Sequence, residues 1–216
     1  MNHQALGVLA SGRGSNLKAL LNARGRGQLS LPIVLVLSDR PDAGALDIAR
    51  DAGVEALYLD PGPHRTRLSD DAEAHYLAEL RARGITLVAL AGFLRVLHRP
   101  FLEAFPDAIV NIHPSLLPSF PGLSAQQQAY DHGVRVSGCT AHLVTAGIDA
   151  GPILEQAVVA VGEDDTPGTI AARILIEEHR IFPLAVERVA RGGWRLSGRR
   201  IVTAPASAPE RSGEVT

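Results

Sequence analysis

The chain has 216 residues, a formal net charge of −2 and a single cysteine, Cys139. That length, with 46% hydrophobic residues, suits one soluble α/β domain able to bury a sizeable core. The near-neutral charge argues against nucleic acid or an anionic membrane as partner, one cysteine excludes an internal disulfide framework and argues against a cysteine-based zinc site, and no apolar run approaches the roughly 18 residues of a membrane span.

The N-terminus lacks a basic region followed by a long apolar run, so it does not read as a signal peptide, and a cytoplasmic location is expected. Residues 5–10, 31–37, 54–59, 86–91 and 108–112 are short runs rich in Val, Leu and Ile. Their near-continuous hydrophobicity predicts strands covered on both faces, as in a parallel sheet. Helices are expected between them at 15–24, 43–52, 70–83 and 100–105, the second with Asp42 as N-cap and Gly53 just past its end. Beyond Ile112 the pattern changes. Residues 113–124 are rich in Pro, Leu, Ser and Gly, which predicts a long ordered loop, and such loops in compact domains usually carry function. Residues 138–145 and 153–161 read as two strands joined by the short link 146–152, hence antiparallel. Residues 166–190 read as one long helix with Pro167 in its first turn and Gly192-Gly193 after its end; Pro183 inside it should kink or locally break it. A small hairpin around Ser197-Gly198, packed by Trp194, is expected at 194–202, and a disordered tail at 204–216. Together these predict an α/β fold. It is a single Rossmann-like domain over 1–203, with a mostly parallel twisted sheet of about seven strands, helices on both faces and an antiparallel C-terminal strand pair.

Three segments carry candidate chemistry. The first strand ends in S-G-R-G-S-N, residues 11–16, and runs into a helix. Glycines let backbone N–H groups approach an anion, and a helix N-terminus adds free donors and a favourable dipole, so a phosphate monoester is one reading of Gly14, Ser15 and Asn16. The other is a glycine-rich turn with Ser15 as the helix cap; the loop is neither a P-loop nor a complete G-x-G-x-x-G. The fifth strand runs into N-I-H-P, residues 111–114, at the carboxyl end of the sheet where open α/β folds bind ligands. Asn111 and His113 are two apart on an extended chain, so their side chains share a side. An Asn amide can donate to a developing oxyanion, and a His can move a proton near neutral pH. Asp149, in I-D-A-G-P, would favour the imidazolium if it lay beside His113. Asn, His and Asp with no Ser or Cys nucleophile point to direct transfer between two bound substrates. Against this stand plain loop-capping roles for Asn111 and His113 and a turn role for Asp149.

S-G-R-G-S-N at 11–16, L-A-G-F-L-R-V-L at 90–97, N-I-H-P-S-L-L-P-S-F-P-G-L at 111–123, A-H-L-V-T at 141–145, I-D-A-G-P-I-L at 148–154 and E-E-H-R-I-F-P at 177–183 occur in one order. In that order and spacing the chain resembles the folate-dependent phosphoribosylglycinamide formyltransferases of purine biosynthesis, to about residue 203. The resemblance implies a catalytic set of Asn111, His113 and Asp149. It implies that Gly14, Ser15, Asn16 and the segment Leu175, Ile176, Glu177 and Glu178 meet phosphoribosylglycinamide. It implies a pocket for 10-formyltetrahydrofolate formed by Leu94, Arg95, Val96, Leu97, Asn111, Thr145, Ala146, Gly147, Ile148 and Asp149, with Arg67 or its rival Arg65 as a folate-site arginine. The domain then divides into a phosphate-binding half at about 1–112 and a half at 113–203 holding the catalytic loop, strand pair and long helix. Asn111 and protonated His113 would stabilise the tetrahedral intermediate while Asp149 keeps His113 charged. No metal is implied, and small molecules are the expected partners of a monomer or homodimer.

The chain departs from the pattern of many relatives at Ser119, where a basic residue is common, at S-A-Q-Q-Q, residues 124–128, in place of a His-rich stretch, and at Ala146-Gly147 in place of a more acidic pair. His142 reads either as a satisfied core residue or as a neighbour of the site, and Cys139 as a small buried residue. Two relatives are alternatives, the first of which shares the catalytic set. A 10-formyltetrahydrofolate hydrolase would carry a further N-terminal domain, for which the first strand at Ala5 leaves no room. A methionyl-tRNA formyltransferase would need a basic C-terminal RNA-binding domain. A non-catalytic phosphoribosyl-ligand-binding protein is the alternative from another class.

Overall fold

The computed structural model describes residues 3–204, so the tail expected at 204–216 lies outside the described residues except for Ala204. Nine strands form one sheet in the order β3-β2-β1-β4-β5-β6-β7-β9-β8. The parallel half comprises β1 (Leu6–Leu9), β2 (Ile33–Ser38), β3 (Glu55–Tyr58), β4 (Leu87–Leu90) and β5 (Ile109–His113). Every residue of β1 and β4 is buried, as expected of strands with helices on both faces. β6 (Val136–Leu143) then pairs antiparallel with β5, and β7 (Ile153–Ala160) antiparallel with β6.

The expected seven strands become nine because the C-terminal hairpin joins the sheet. β8 (Trp194–Ser197) and β9 (Arg200–Thr203) pair with each other, and β9 meets the edge of β7 at the single register pair Ile153↔Arg200. A solvated hairpin and one that docks on an edge share the same alternation, so the sequence does not separate them.

The helices α1 (Ser15–Gly25), α2 (Gly44–Asp51), α3 (Asp70–Ala82) and α4 (Arg99–Ala104) follow the predicted rhythm. Ala43 rather than Asp42 caps α2, and its side chain makes no capping bond. A helix that the composition hid, α5 (Ala125–Asp131), follows the loop; only Ala125 and Ala129, one turn apart, are buried, too narrow a stripe to register as periodicity. The last helix, α6 (Pro167–Arg191), opens on a capping box made by Thr166 and Thr169 and runs unbroken through Pro183. One lost backbone bond is outweighed by the buried face of Ile170, Ile174, Ile181, Phe182, Val186 and Val189. No described helix is long and apolar enough to cross a membrane.

Candidate active site

β5 carries Asn111 and His113 to the carboxyl end of the parallel half. Antiparallel pairing sets His142 of β6 opposite Asn111 and Thr140 opposite His113. The chain then leaves β6, and the turn 144–152 brings Asp149 back over the strand ends. Asp149 sits in the left-handed region at φ 48°, where Asp and Asn are among the few side chains tolerated. Gly151 secures the turn: a Cβ there would lie 1.7 Å from the Leu143 carbonyl oxygen, so no side chain fits.

The three residues expected to act together are brought together. Asp149 Oδ2 lies 3.3 Å from His113 Nδ1 and accepts from the Gly122 N–H at 2.8 Å. Asp149 Oδ1 faces Asn111 Nδ2 at 3.5 Å and His142 Nε2 at 3.6 Å. His142 Nδ1 lies 2.9 Å from the Leu143 carbonyl, which can only accept, so Nδ1 carries the hydrogen. With the hydrogen there, Nε2 can accept from Asn111 Nδ2 at 3.1 Å. His142 therefore orients the Asn111 amide from the neighbouring strand. The second amide N–H makes only the long contact to Asp149 and is the one open to a substrate oxygen.

His113 is buried, 5% exposed, and both its nitrogens meet acceptors. Nε2 lies 2.9 Å from the Phe120 carbonyl and so bears a hydrogen, while Nδ1 faces the carboxylate. Only the imidazolium would satisfy both contacts. Burial nevertheless pulls the His113 pKa down; the Phe120 carbonyl and Asp149 push it up and His142 pulls it down, leaving it below the ordinary histidine value. The expectation that Asp149 would raise this pKa names a real effect that desolvation outweighs. For Asp149, burial raises the pKa, but the nearby His142 ring, the hydrogen bond from the Gly122 N–H and the adjoining His113 bring it below the ordinary value. The resting site is thus an ionised Asp149 beside an imidazole that resists charging until something supplies a proton.

A second cluster lies where α1 meets α6. Gly14 precedes α1 at φ 81°, and no side chain caps the helix, so Ser15 is not the cap and the first N–H groups are left without a side-chain partner. Asn16 Nδ2 donates to Glu178 Oε2 at 2.8 Å, both residues buried, while Asn16 Oδ1 has no partner. Burial pushes the Glu178 carboxyl up, with the Asn16 bond opposing in part. Of the segment 175–178, Glu178 alone is buried: Ile176 is exposed and Glu177 pairs with Arg180. Beside Gly14, a cleft of about 340 Å³ is lined by Ser11, Gly12, Arg13, Arg40, Asp42, Ala43 and Gly44.

The third group lies beyond β4. The Ser11 hydroxyl accepts from the Leu94 N–H, tying the first loop to this segment. Leu94 and Val96 are exposed and Leu97 is buried. Arg95 is largely covered; its guanidinium bonds Asp39 at 2.6 Å and the His64 carbonyl. Arg67 forms a parallel bridge with Val96, whose N–H donates to the Thr66 carbonyl at 2.8 Å, so Arg67 rather than Arg65 lies alongside the segment. In the turn 145–149, Ile148 is exposed.

Sequence reasoning missed the hairpin's share of the site. A cavity of about 470 Å³ opens at Asp149 and is lined by Leu117, Pro118, Gly151, Ile153, Arg199, Arg200 and Ile201. Arg199 reaches across to donate to the Ala150 carbonyl at 2.9 Å, next to Asp149. It missed Phe120 and Gly122 as well, because they act through backbone groups that any residue type possesses.

The formyl transferase family model matches residues 5–186. The phosphoribosylglycinamide formyltransferase of Escherichia coli is 37% identical over 189 residues, covering 88% of this chain and 88% of that one. That of Bacillus subtilis is 35% identical over 182 residues, 84% and 92%. The human trifunctional purine biosynthetic protein adenosine-3 is 40% identical over 189 residues, but the matched part spans only 18% of its length. Among solved structures, glycinamide ribonucleotide transformylase 1 from Symbiobacterium toebii superposes with a TM-score of 0.88 at 48% identity, covering 94% of this chain and 95% of that one. A formyltetrahydrofolate deformylase from Pseudomonas syringae reaches a TM-score of 0.86 at 23% identity, which speaks to the fold alone. With its site geometry and these matches over nearly its whole length, the chain belongs to the formyl transferase family and, within it, to the phosphoribosylglycinamide formyltransferases.

Proposed function

We infer that the chain transfers the formyl group of 10-formyltetrahydrofolate to the amine of N1-(5-phospho-D-ribosyl)glycinamide, releasing tetrahydrofolate, as a step of purine biosynthesis. The observation that carries this reading is the convergence of Asn111, His113 and Asp149 within 3.5 Å of one another through one carboxylate, with no nucleophilic side chain among them. The first half, about 1–112, supplies the phosphate end through the uncapped start of α1 at Gly14, Ser15 and Asn16. Asn16 holds Glu178 toward the ribosyl part. The folate lies along Leu94–Leu97, Arg67 and the turn 145–149.

In the reaction the glycinamide amine attacks the formyl carbon and forms a tetrahedral intermediate. The open N–H of Asn111 donates to its oxygen, a contact of a kind worth about 10²–10³ in kcat. The attacking nitrogen must lose a proton. His113, neutral at rest, takes it within the His113–Asp149 pair, and the imidazolium then satisfies both of its acceptors at once. As the intermediate collapses, the bond from the formyl carbon to the folate nitrogen breaks with its electron pair on that nitrogen, and the proton returned there completes release of tetrahydrofolate.

The test is turnover of 10-formyltetrahydrofolate with and without phosphoribosylglycinamide. Formyl loss that requires the amine, and appears in it, supports transfer. Loss independent of the amine makes the protein a hydrolase, and no loss with retained ribonucleotide binding makes it a binding protein.

A further inference from the structure

Beyond His113 the chain runs through the loop 114–122 before returning to the site, and two side chains hold that loop from the neighbouring strands. The register places Thr140 opposite His113 and Gln156 opposite Thr140, so the three lie in a row across β5, β6 and β7 on one face of the sheet. The Thr140 hydroxyl, wholly buried, donates to the Ser115 carbonyl at 2.7 Å and accepts from the Leu117 N–H at 3.0 Å and from Gln156 Nε2 at 3.0 Å. One donor and two acceptor positions exhaust what a hydroxyl offers. Gln156 Nε2 also donates to the Leu117 carbonyl at 3.0 Å. Ser115 Oγ, bonded to the Ser119 carbonyl at 2.5 Å, carries this anchorage forward to the residue before Phe120.

The far end of the same loop touches the reacting groups. The Phe120 carbonyl accepts from His113 Nε2, and the Gly122 N–H donates to Asp149. The loop therefore bonds His113 through Phe120 and Asp149 through Gly122, while Thr140 and Gln156 hold its near end from β6 and β7. We propose that Thr140 and Gln156 are positioning residues that, through the loop 114–122, set the Phe120 carbonyl and the Gly122 N–H and so the mutual geometry of His113 and Asp149. This rests on the reading of those two residues as catalytic.

The test compares Thr140→Val, Thr140→Ser, Gln156→Met and His113→Ala in the full chain, with circular dichroism as the folding check. Displacement of a reacting group by about 1 Å costs on the order of 10²-fold, so Thr140→Val is expected to lose about that much kcat. KM for 10-formyltetrahydrofolate and for phosphoribosylglycinamide should stay within about twofold, because no substrate contact is removed. The titratable groups facing His113 are Asp149 on the turn and His142 on β6, and neither is altered. Loss of the Phe120 carbonyl, which favours the charged ring, should therefore move the His113 limb of the kcat–pH profile to lower pH. Thr140→Ser keeps the hydroxyl and should restore most of the rate. Gln156 is exposed, so Gln156→Met folds even if Thr140→Val does not, and it should lose about tenfold. Wild-type kcat and pH profile in folded Thr140→Val or Gln156→Met would overturn the proposal, as would a Thr140→Ser as impaired as Thr140→Val. Full turnover by His113→Ala would instead overturn the catalytic reading beneath it.

Discussion

Asp149→Asn isolates charge from shape. The replacement has the same outline, and Asn tolerates the left-handed backbone that Asp149 occupies at φ 48°. Its oxygen can still accept from the Gly122 N–H, so the fold should stand. What disappears is a negative charge 3.3 Å from His113 Nδ1. At an effective dielectric of about 20, two unit charges at that distance interact by roughly 5 kcal/mol, and about 3 kcal/mol survives a generous allowance for solvent. Because His113 is neutral at rest, the attraction is felt only once the ring takes up the proton. The loss therefore falls on the transition state, lowering kcat and kcat/KM together by about 10²–10⁴. Steady-state turnover of 10-formyltetrahydrofolate with phosphoribosylglycinamide at pH 7 measures this directly. A folded Asp149→Asn enzyme within about tenfold of wild-type kcat would refute a catalytic role for the carboxylate charge.

Other perturbations separate binding from support. Glu178 has a raised folded pKa, so its stability contribution is full below the ordinary glutamate range and is lost as pH rises through the folded value; the ionised group is a burden at neutral pH. Glu178→Gln should accordingly raise the thermal midpoint at pH 7, with the gap closing toward pH 4, while KM for phosphoribosylglycinamide rises about tenfold or more through the lost charged hydrogen bond. A midpoint that falls at pH 7 would contradict the burial argument. Gly151→Ala drives a methyl group into the Leu143 carbonyl and should cost about 3 kcal/mol, a midpoint drop of roughly 6–12 °C by calorimetry, with turnover falling as the Asp149 turn shifts. Burial pushes the Cys139 thiol up to about 12, so iodoacetamide at pH 8 should label it only after unfolding.

The parallel half of the sheet was legible because fully buried strands leave unbroken apolar runs, and β1, β2, β4 and β5 fall within a few residues of their predicted bounds. The failures have local causes. α5 buries two alanines and starts from a left-handed Ser124, a conformation that Ser does not advertise. The hairpin's docking depends on one bridge between Ile153 and Arg200, a long-range choice that no local pattern encodes. The kink expected at Pro183 does not break the helix, because a helix of 25 residues with a buried face absorbs one missing hydrogen bond.

Within the site, the two-residue period placed Asn111 and His113 on one side of β5, but nothing periodic joined them to Asp149; family resemblance did, and Gly151 is the physical reason the turn can comply. The electrostatics were the least legible. Neighbouring residue types predict the sign of each pairwise effect, and Asp149 does push His113 upward, yet the net direction depends on how completely the ring is buried. Burial comes from β6, the Asp149 turn and the loop 114–122 together, which is tertiary structure. That loop supplies the Phe120 carbonyl, so part of the enclosure that makes charging His113 costly also stabilises the charge once it forms. In the proposed reaction a ring held in that balance would stay neutral while the amine substrate arrives and become cationic as the nitrogen sheds its proton, which is the order of events formyl transfer to an amine requires.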